Sequence, residues 1–176
     1  MSKTILKKAS LLILMAVGFS VAVNAQPVAK AKANKDTEKF RYEIECVSVG
    51  ASGSYLVKVW SYSKKANVAI EQAKKNAVHG VIFKGFTGAG AGCTQKALAS
   101  NPSIEEEKAE FFDNFFMDGG KYQKFVSVSG DGSVAAEDRM KVGKEYKIGV
   151  VVSVLKDALR SDLEAAGIIK GLSSGF

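Results

Sequence analysis

Apolar and polar residues alternate along several stretches of this chain, and such a period of two is typical of strands with one buried and one exposed face. The alternation is clearest in Tyr42–Val49, in residues 55–62 and in residues 146–155, the last of which is rich in β-branched side chains. Residues 50–54 between the first two are glycine- and serine-rich and predict the turn of a hairpin. Residues 122–128 alternate in the same way and predict a further strand.

After the hairpin the period changes from two to 3.6, which predicts an amphipathic helix. Ser63 is its expected N-cap, and Gly80 is expected to end it in a left-handed conformation. Residues 81–86 then predict an interior strand, which a right-handed crossover would place parallel to residues 55–62. The helix has a narrow face of small side chains within an arc of about 120°, formed by Ala66, Ala69, Ile70, Ala73 and Ala77, whereas Lys64, Glu71, Lys74 and Lys75 lie outside it.

Two further helices are predicted. One begins with a capping box of Ser103 and Glu106 and stops at Gly119 and Gly120. The other ends at Gly167 and has an apolar face of Leu155, Leu159, Leu163 and Ala166. In chain order the elements are β-β-α-β-α-β-β-α. The sequence therefore predicts an α+β fold in which helices pack on a mixed sheet of about five strands.

The first 25 residues have the layout of a secretory signal peptide. Lys3, Lys7 and Lys8 give a positively charged start, and residues 9–23 are almost wholly apolar. The apolar run is shorter than the roughly 17 to 25 residues that a membrane-spanning helix needs. We expect cleavage after Ala25 and a periplasmic or secreted protein. Its predicted parts are a basic flexible linker over 26–41, a single α+β domain over 42–167 and a C-terminal tail over 168–176.

The formal net charge of +7 lies mostly outside the predicted domain. Removal of the three lysines in the leader leaves 22 basic and 18 acidic residues, a net charge of +4, of which residues 26–41 hold +3. The domain is therefore close to neutral, and the basic face that nucleic-acid binding requires is not expected. Membrane contact is expected only through the basic arm 26–41, for which a solvated flexible leader is the preferred interpretation.

Cys46 and Cys93 are the only cysteines. An exported protein meets an oxidising compartment, in which the two can form a disulfide. Cys46 also falls on the apolar side of its strand, where a free cysteine packs as a small hydrophobic residue. The sequence leaves both alternatives open.

His79 is the only histidine and lies in the last turn of the predicted helix, where a histidine commonly interacts with free carbonyl groups and the helix dipole. A small hydrolase or transferase that uses His79, Cys93 and the glycine loop 85–93 is the enzymatic alternative. Neither Cys93 nor any serine, however, has the sequence signature of a nucleophile. We therefore predict no catalytic residue, no metal site and no cofactor.

Two features are candidates for binding. In the glycine loop, backbone amides could form an anion-binding nest. The spacing of Gly88, Gly90 and Gly92, however, is that of neither a P-loop nor a dinucleotide fingerprint. A flexible loop is the simpler interpretation. The second feature is an aromatic helix whose rings cover a wider face than one contact requires. Some rings are expected in the core and others in a patch for a partner; the four are Phe111, Phe112, Phe115 and Phe116.

The alanine spacing of residues 66–77 after a hairpin, followed by strands and by a closing helix with Leu155, Leu159 and Leu163, resembles the small strand-helix-strand-strand domains of Gram-negative envelope proteins. Such domains occur in outer-membrane lipoproteins and in a periplasmic protein of flagellar outer-membrane assembly. The resemblance covers approximately residues 42–167 and carries no functional residue that can be transferred. It implies a non-catalytic binding or assembly module whose partner is another envelope protein.

Overall fold

The computed structural model describes residues 40–171. The predicted signal peptide, nearly all of the predicted linker and the end of the predicted tail lie outside these residues. Within residues 40–171, no helix is both long enough and apolar enough to cross a bilayer.

Five antiparallel strands form one sheet: β1 (Tyr42–Val49), β2 (Ser54–Ser63), β3 (Val126–Val128), β4 (Arg139–Val142) and β5 (Glu145–Leu155). The strand order is β1-β2-β5-β3, and β4 also pairs with β5. The central strand is β5, because β2 pairs along one of its edges while β4 and β3 pair with the two ends of the other edge. The predicted hairpin of β1 and β2 is confirmed, and so is the α+β class with a sheet of about five strands.

Helix α1 (Ala66–His79) packs on β2 and β5. Its predicted alanine face is confirmed, because Ala69, Ala73 and Ala77 have no exposed surface. Val57 and Val59 of β2 are equally buried and belong to the same core. Removal of each valine side chain from water contributes about 1.5–3 kcal/mol, so the contact between α1 and the sheet is a main source of stability.

The predicted strand over residues 81–86 is wrong, and with it the predicted parallel crossover. Gly80 has a right-handed φ of −60°, and the chain continues from α1 into a π-helical turn, Gly80–Lys84. The backbone leaves the helix at Gly85, whose φ is +71°. A short apolar run is compatible with a strand or a buried helical turn, and here Val81 and Ile82 are buried in the helical form.

The chain between residues 103 and 128 also differs from its prediction. The aromatic helix is divided into α2 (Ile104–Glu107) and α3 (Ala109–Phe116), and no side chain caps either one, so the predicted capping box is wrong. Lys121–Phe125 is a 3-10 helix, which leaves only β3 of the predicted strand 122–128.

The predictions for the start of α1 and for the end of the last helix have different outcomes. Ser63 does not cap α1 directly, because its Oγ accepts a hydrogen bond from the Lys65 amide at 3.3 Å and the helix begins one residue later. The last helix, α4 (Lys156–Ala165), ends before Gly167 as predicted, and this glycine has a left-handed φ of +68°. Ile168, placed in the tail by the sequence, is buried against the core.

Candidate functional site

An aromatic cluster surrounds His79 at the end of α1. Phe40, directly before β1, stacks on the imidazole with ring centroids 3.5 Å apart, and Phe83 of the π-helical turn lies 4.8 Å away. Phe116 of α3 lies 5.8 Å from Phe40 and 6.0 Å from His79. The predicted linker includes Phe40 and Arg41, but Phe40 packs on the core and Arg41 forms an ion pair with Glu145 of β5.

Both ring nitrogens of His79 make hydrogen bonds. The Tyr42 hydroxyl lies 2.7 Å from Nδ1, and Oε1 of Glu105 lies 3.1 Å from Nε2. A carboxylate only accepts, so Nε2 carries the proton and donates it to Glu105, while Nδ1 accepts from the Tyr42 hydroxyl. His79 lies in the last turn of α1 as predicted. Its ring nitrogens bind side chains of β1 and α2 rather than free carbonyl groups, and the helical backbone continues past it.

Burial favours the neutral forms of His79 and of the Tyr42 hydroxyl. It lowers the pKa of His79, and the hydrogen bond and negative charge of Glu105 oppose that shift. Burial, together with the charge of Glu105, raises the pKa of the Tyr42 hydroxyl. It also lowers the pKa of Lys84, whose Nζ lies 3.9 Å from the centre of the Tyr42 ring. Both imidazole nitrogens are occupied, so His79 could exchange a proton with a ligand only after one of its two hydrogen bonds had broken.

A cleft of about 470 Å³ opens beside this aromatic cluster. Its volume lies in the range of about 300–1,000 Å³ that small-ligand sites occupy. Phe112 and Phe116 are buried and form the floor, while Met117 is 55% exposed. Phe40 and Ala109 complete the apolar lining. The cleft is therefore accessible to solvent and has an aromatic floor.

Carboxylates lie around this floor. Glu105 is engaged with His79, but Glu106, Asp113 and Asp118 also line the cleft and form no ion pair among residues 40–171. The one lysine in the lining, Lys75, is 5% exposed. The accessible charge at the rim is therefore negative.

The burial of Lys75 differs from the sequence prediction, which puts this residue outside the buried face of α1. The 3-10 helix Lys121–Phe125 packs against α1, and the Tyr122 ring lies 5.7 Å from Nζ of Lys75. The apolar stem of a lysine can pack in this way while its amine stays near polar groups. A second layer of structure over α1 thus buries a position that α1 alone would expose.

The four phenylalanines predicted as a binding patch have different surroundings. Phe112 and Phe116 form the floor of the cleft, and Phe115 is buried with its ring 6.2 Å from that of Phe125. Phe111 is half-buried and lines a separate, polar hollow of about 430 Å³ together with Lys108 and Asn114. Most of the aromatic face is thus core, and two of its rings also border the cleft.

The glycine loop lies against β1. Cys46 and Cys93 form a disulfide, and the Cys46 amide donates a hydrogen bond to the Thr87 carbonyl at 2.9 Å. A Cβ atom at Gly88 would lie 2.4 Å from the carbonyl oxygen of Cys46, so the close approach requires glycine there. Gly90 and Gly92 are exposed beside the disulfide, and none of the three glycines lines the cleft. The structure therefore does not bring the two predicted binding features together.

Sequence reasoning did not identify Phe40, Tyr42 or Glu105 as parts of one group. Tyr42 at the start of β1 was a usable signal, because a histidine at the end of a buried helix face needs hydrogen-bond partners for both ring nitrogens. The pairing with Glu105 had no signal, because the two residues are 26 positions apart and belong to different elements.

Comparisons with protein-family models, with curated proteins and with solved structures gave no match. Within the described part of the chain, no group of three or more His, Cys, Asp and Glu side chains is arranged to hold a metal ion. The function must therefore be argued from the cleft, the His79 group and the disulfide themselves.

Proposed function

We propose that this chain is an exported, non-catalytic protein of the cell envelope that acts as a binding or assembly module, with the cleft above Phe112 and Phe116 as its binding site. The observation that carries the proposal is the combination, in one cleft of about 470 Å³, of an aromatic floor and carboxylates without ion-pair partners in residues 40–171. Concave sites with an apolar lining and a few polar groups are the usual places where proteins bind ligands and partners.

Export is supported by two independent features. The leader over residues 1–25 has the charge and hydropathy pattern of a secretory signal. The disulfide between Cys46 and Cys93 fits an oxidising compartment, since stable disulfides are rare in the cytosol. An envelope protein as the partner is what the resemblance to small envelope domains implies.

The enzymatic alternative would use His79, Cys93 and the glycine loop 85–93. The Cys93 sulfur is engaged in the disulfide, and the two nitrogens of His79 are hydrogen-bonded to Tyr42 and to Glu105 respectively. A nucleophile and a free base would both have to be released before such chemistry could begin. Binding therefore requires fewer changes to the structure than catalysis does.

The test fills the cleft without altering the core. Ala109 is exposed and lines the cleft, so A109W would occupy part of its volume. Ala135 is also an exposed alanine but does not line the cleft, which makes A135W the matched control. The mature wild type and both variants are cross-linked in envelope extracts, and captured species are identified by mass spectrometry.

We expect a species that wild type and A135W capture equally and that A109W loses, with the three proteins unfolding at the same urea concentration. Equal capture by all three, or equal loss in both variants, would contradict the assignment of binding to this cleft.

A further inference from the structure

The charges at the cleft indicate the chemistry of its occupant. Glu106, Asp113 and Asp118 are exposed, line the cleft and form no ion pair among the described residues. Lys75, the one lysine of the lining, is 5% exposed, so the solvent-accessible charge of the lining comes from the carboxylates. An occupant that brings positive charge would therefore meet complementary charge without displacing an ion pair within residues 40–171.

The distribution of these carboxylates favours a segment with several charges over a single small cation. They come from three places: Glu106 from α2, Asp113 from α3, and Asp118 from the turn after α3. One ammonium group can approach only one or two carboxylates closely. A chain with several basic side chains can approach all of them.

The aromatic floor adds a second requirement. Phe112 and Phe116 present ring surface at the bottom of the cleft, and Met117 is a flexible apolar side chain beside them. Long basic side chains place their apolar stems along such surfaces while the charged ends stay in water, and a cation over an aromatic ring gains further attraction. Methionine adapts to apolar groups of different shapes.

We infer that the cleft binds a basic peptide segment of a partner protein, in which lysine or arginine alternates with an apolar side chain. This inference rests on the proposed function and names the partner's chemistry. The basic residues 26–39 of the chain itself are a competing occupant, and the test separates the two.

The probe is a fluorescein-labelled nine-residue peptide of alternating lysine and leucine, titrated with the mature full chain and followed by fluorescence anisotropy. Two matched peptides replace every lysine by glutamate or every leucine by serine. We expect saturable binding of the lysine-leucine peptide only, weakened about tenfold when NaCl is raised from about 0.05 to about 0.5 M, because salt screens exposed charges. Binding of the glutamate peptide, or no binding of the lysine-leucine peptide, would overturn the inference.

Variants locate this binding at the cleft. E106Q/D113N removes two lining carboxylates, and E110Q/E137Q removes two exposed carboxylates that do not line it. We expect the first pair to weaken binding about 5- to 20-fold, since each exposed ion pair is worth a few-fold in affinity, and the second pair to change it less than twofold. Equal losses in both pairs would mean non-specific attraction and would refute the site.

A chain lacking residues 26–39 tests the competing occupant. Equal affinity in both chains supports a partner segment. Binding that appears only after the deletion would show that the chain's own arm fills the cleft, and would overturn the inference. If A109W loses a captured envelope species but no basic peptide binds, the inference fails and the proposed function stands. If A109W changes neither readout, the proposed function fails as well.

Discussion

Loss of the disulfide between Cys46 and Cys93 should destabilise this domain. The bond between Cys46 and Cys93 joins β1 to the end of the glycine loop across a sequence separation of 47. A cross-link of this length reduces the entropy of the unfolded chain, and the loop-closure relation gives about 4 kcal/mol for it. Removal of a native disulfide from a small secreted domain typically costs about 2–5 kcal/mol, and we expect C46A/C93A to lower the free energy of unfolding by about 2–4 kcal/mol.

The choice of alanine follows from the surroundings of the two residues. Cys46 and Cys93 are 7% and 1% exposed, so serine would bury a hydroxyl without a partner, whereas alanine leaves only a small void. The hydrogen bond from the Cys46 amide to Thr87 does not involve the sulfurs and can persist in the variant. The measured loss should therefore reflect mainly the cross-link.

Urea unfolding, followed by the fluorescence of Trp60, the only tryptophan, measures this loss. For a domain of this size a loss of 3 kcal/mol corresponds to a fall in Tm of about 10 °C. Wild type in excess reductant is the matched control and should unfold like C46A/C93A. If the variant and the reduced wild type both stay within about 0.5 kcal/mol of the oxidised protein, the cross-link does not contribute as the chain-entropy argument requires.

Two further predictions concern the glycine loop and the His79 group. G88A should destabilise the protein by about 1–3 kcal/mol, because the added Cβ would lie 2.4 Å from the Cys46 carbonyl oxygen. G90A should change stability by less than about 0.5 kcal/mol, since its nearest neighbour, the Cys93 sulfur, is 3.4 Å away, and equal effects in urea unfolding would contradict the packing argument. Burial lowers the folded-state pKa of His79 below its ordinary value of 6.5. The contribution of the neutral imidazole to the free energy of unfolding is therefore complete above pH 6.5 and is lost as the pH falls through the folded-state pKa. Urea midpoints measured between pH 7.5 and 5.5 should fall more for wild type than for H79F, and identical slopes would show that His79 does not carry this dependence.

The parts of the fold that the sequence predicts well are those in which local pattern and tertiary burial agree. In β5 the residues in phase with Ile148 are buried, including Val150, Val152 and Val154. In α1 the predicted alanine face is the one that packs on the sheet. A strand or helix with one clear apolar face leaves only one side for the core. These elements were therefore predictable from a single sequence.

The predictions that failed depended on contacts between distant residues. Strand β4 (Arg139–Val142) is only four residues long and exposed along its whole length, so Met140 and Val142 on one side of it are too few to predict a buried strand. It is held by pairing with β5. The 3-10 helix Lys121–Phe125 and a strand were both compatible with the alternation around Tyr122. Only the packing of that helix on α1 separates the two possibilities.

The prediction for Gly80 is the most consequential of these failures, because a glycine near a helix end is compatible both with a left-handed terminus and with a helical residue in close contact with another element. A glycine near a helix end predicts a left-handed terminus, yet Gly80 stays helical and lies against β1. A Cβ atom there would meet Ile44 at 2.9 Å and Tyr42 at 3.3 Å. The missing side chain therefore allows β1 to lie directly on the end of α1.

The candidate site depends on that close approach. With β1 in contact with Gly80, the Tyr42 hydroxyl can reach Nδ1 of His79 at 2.7 Å, and Phe40, two residues earlier, can stack on the imidazole. The same ring of Phe40 then forms one wall of the cleft, opposite residues of α3 that are more than 60 positions away in the chain. The site is thus built from segments that no local pattern connects. The absence of a side chain at residue 80 leaves room for the Ile44 and Tyr42 side chains at this contact.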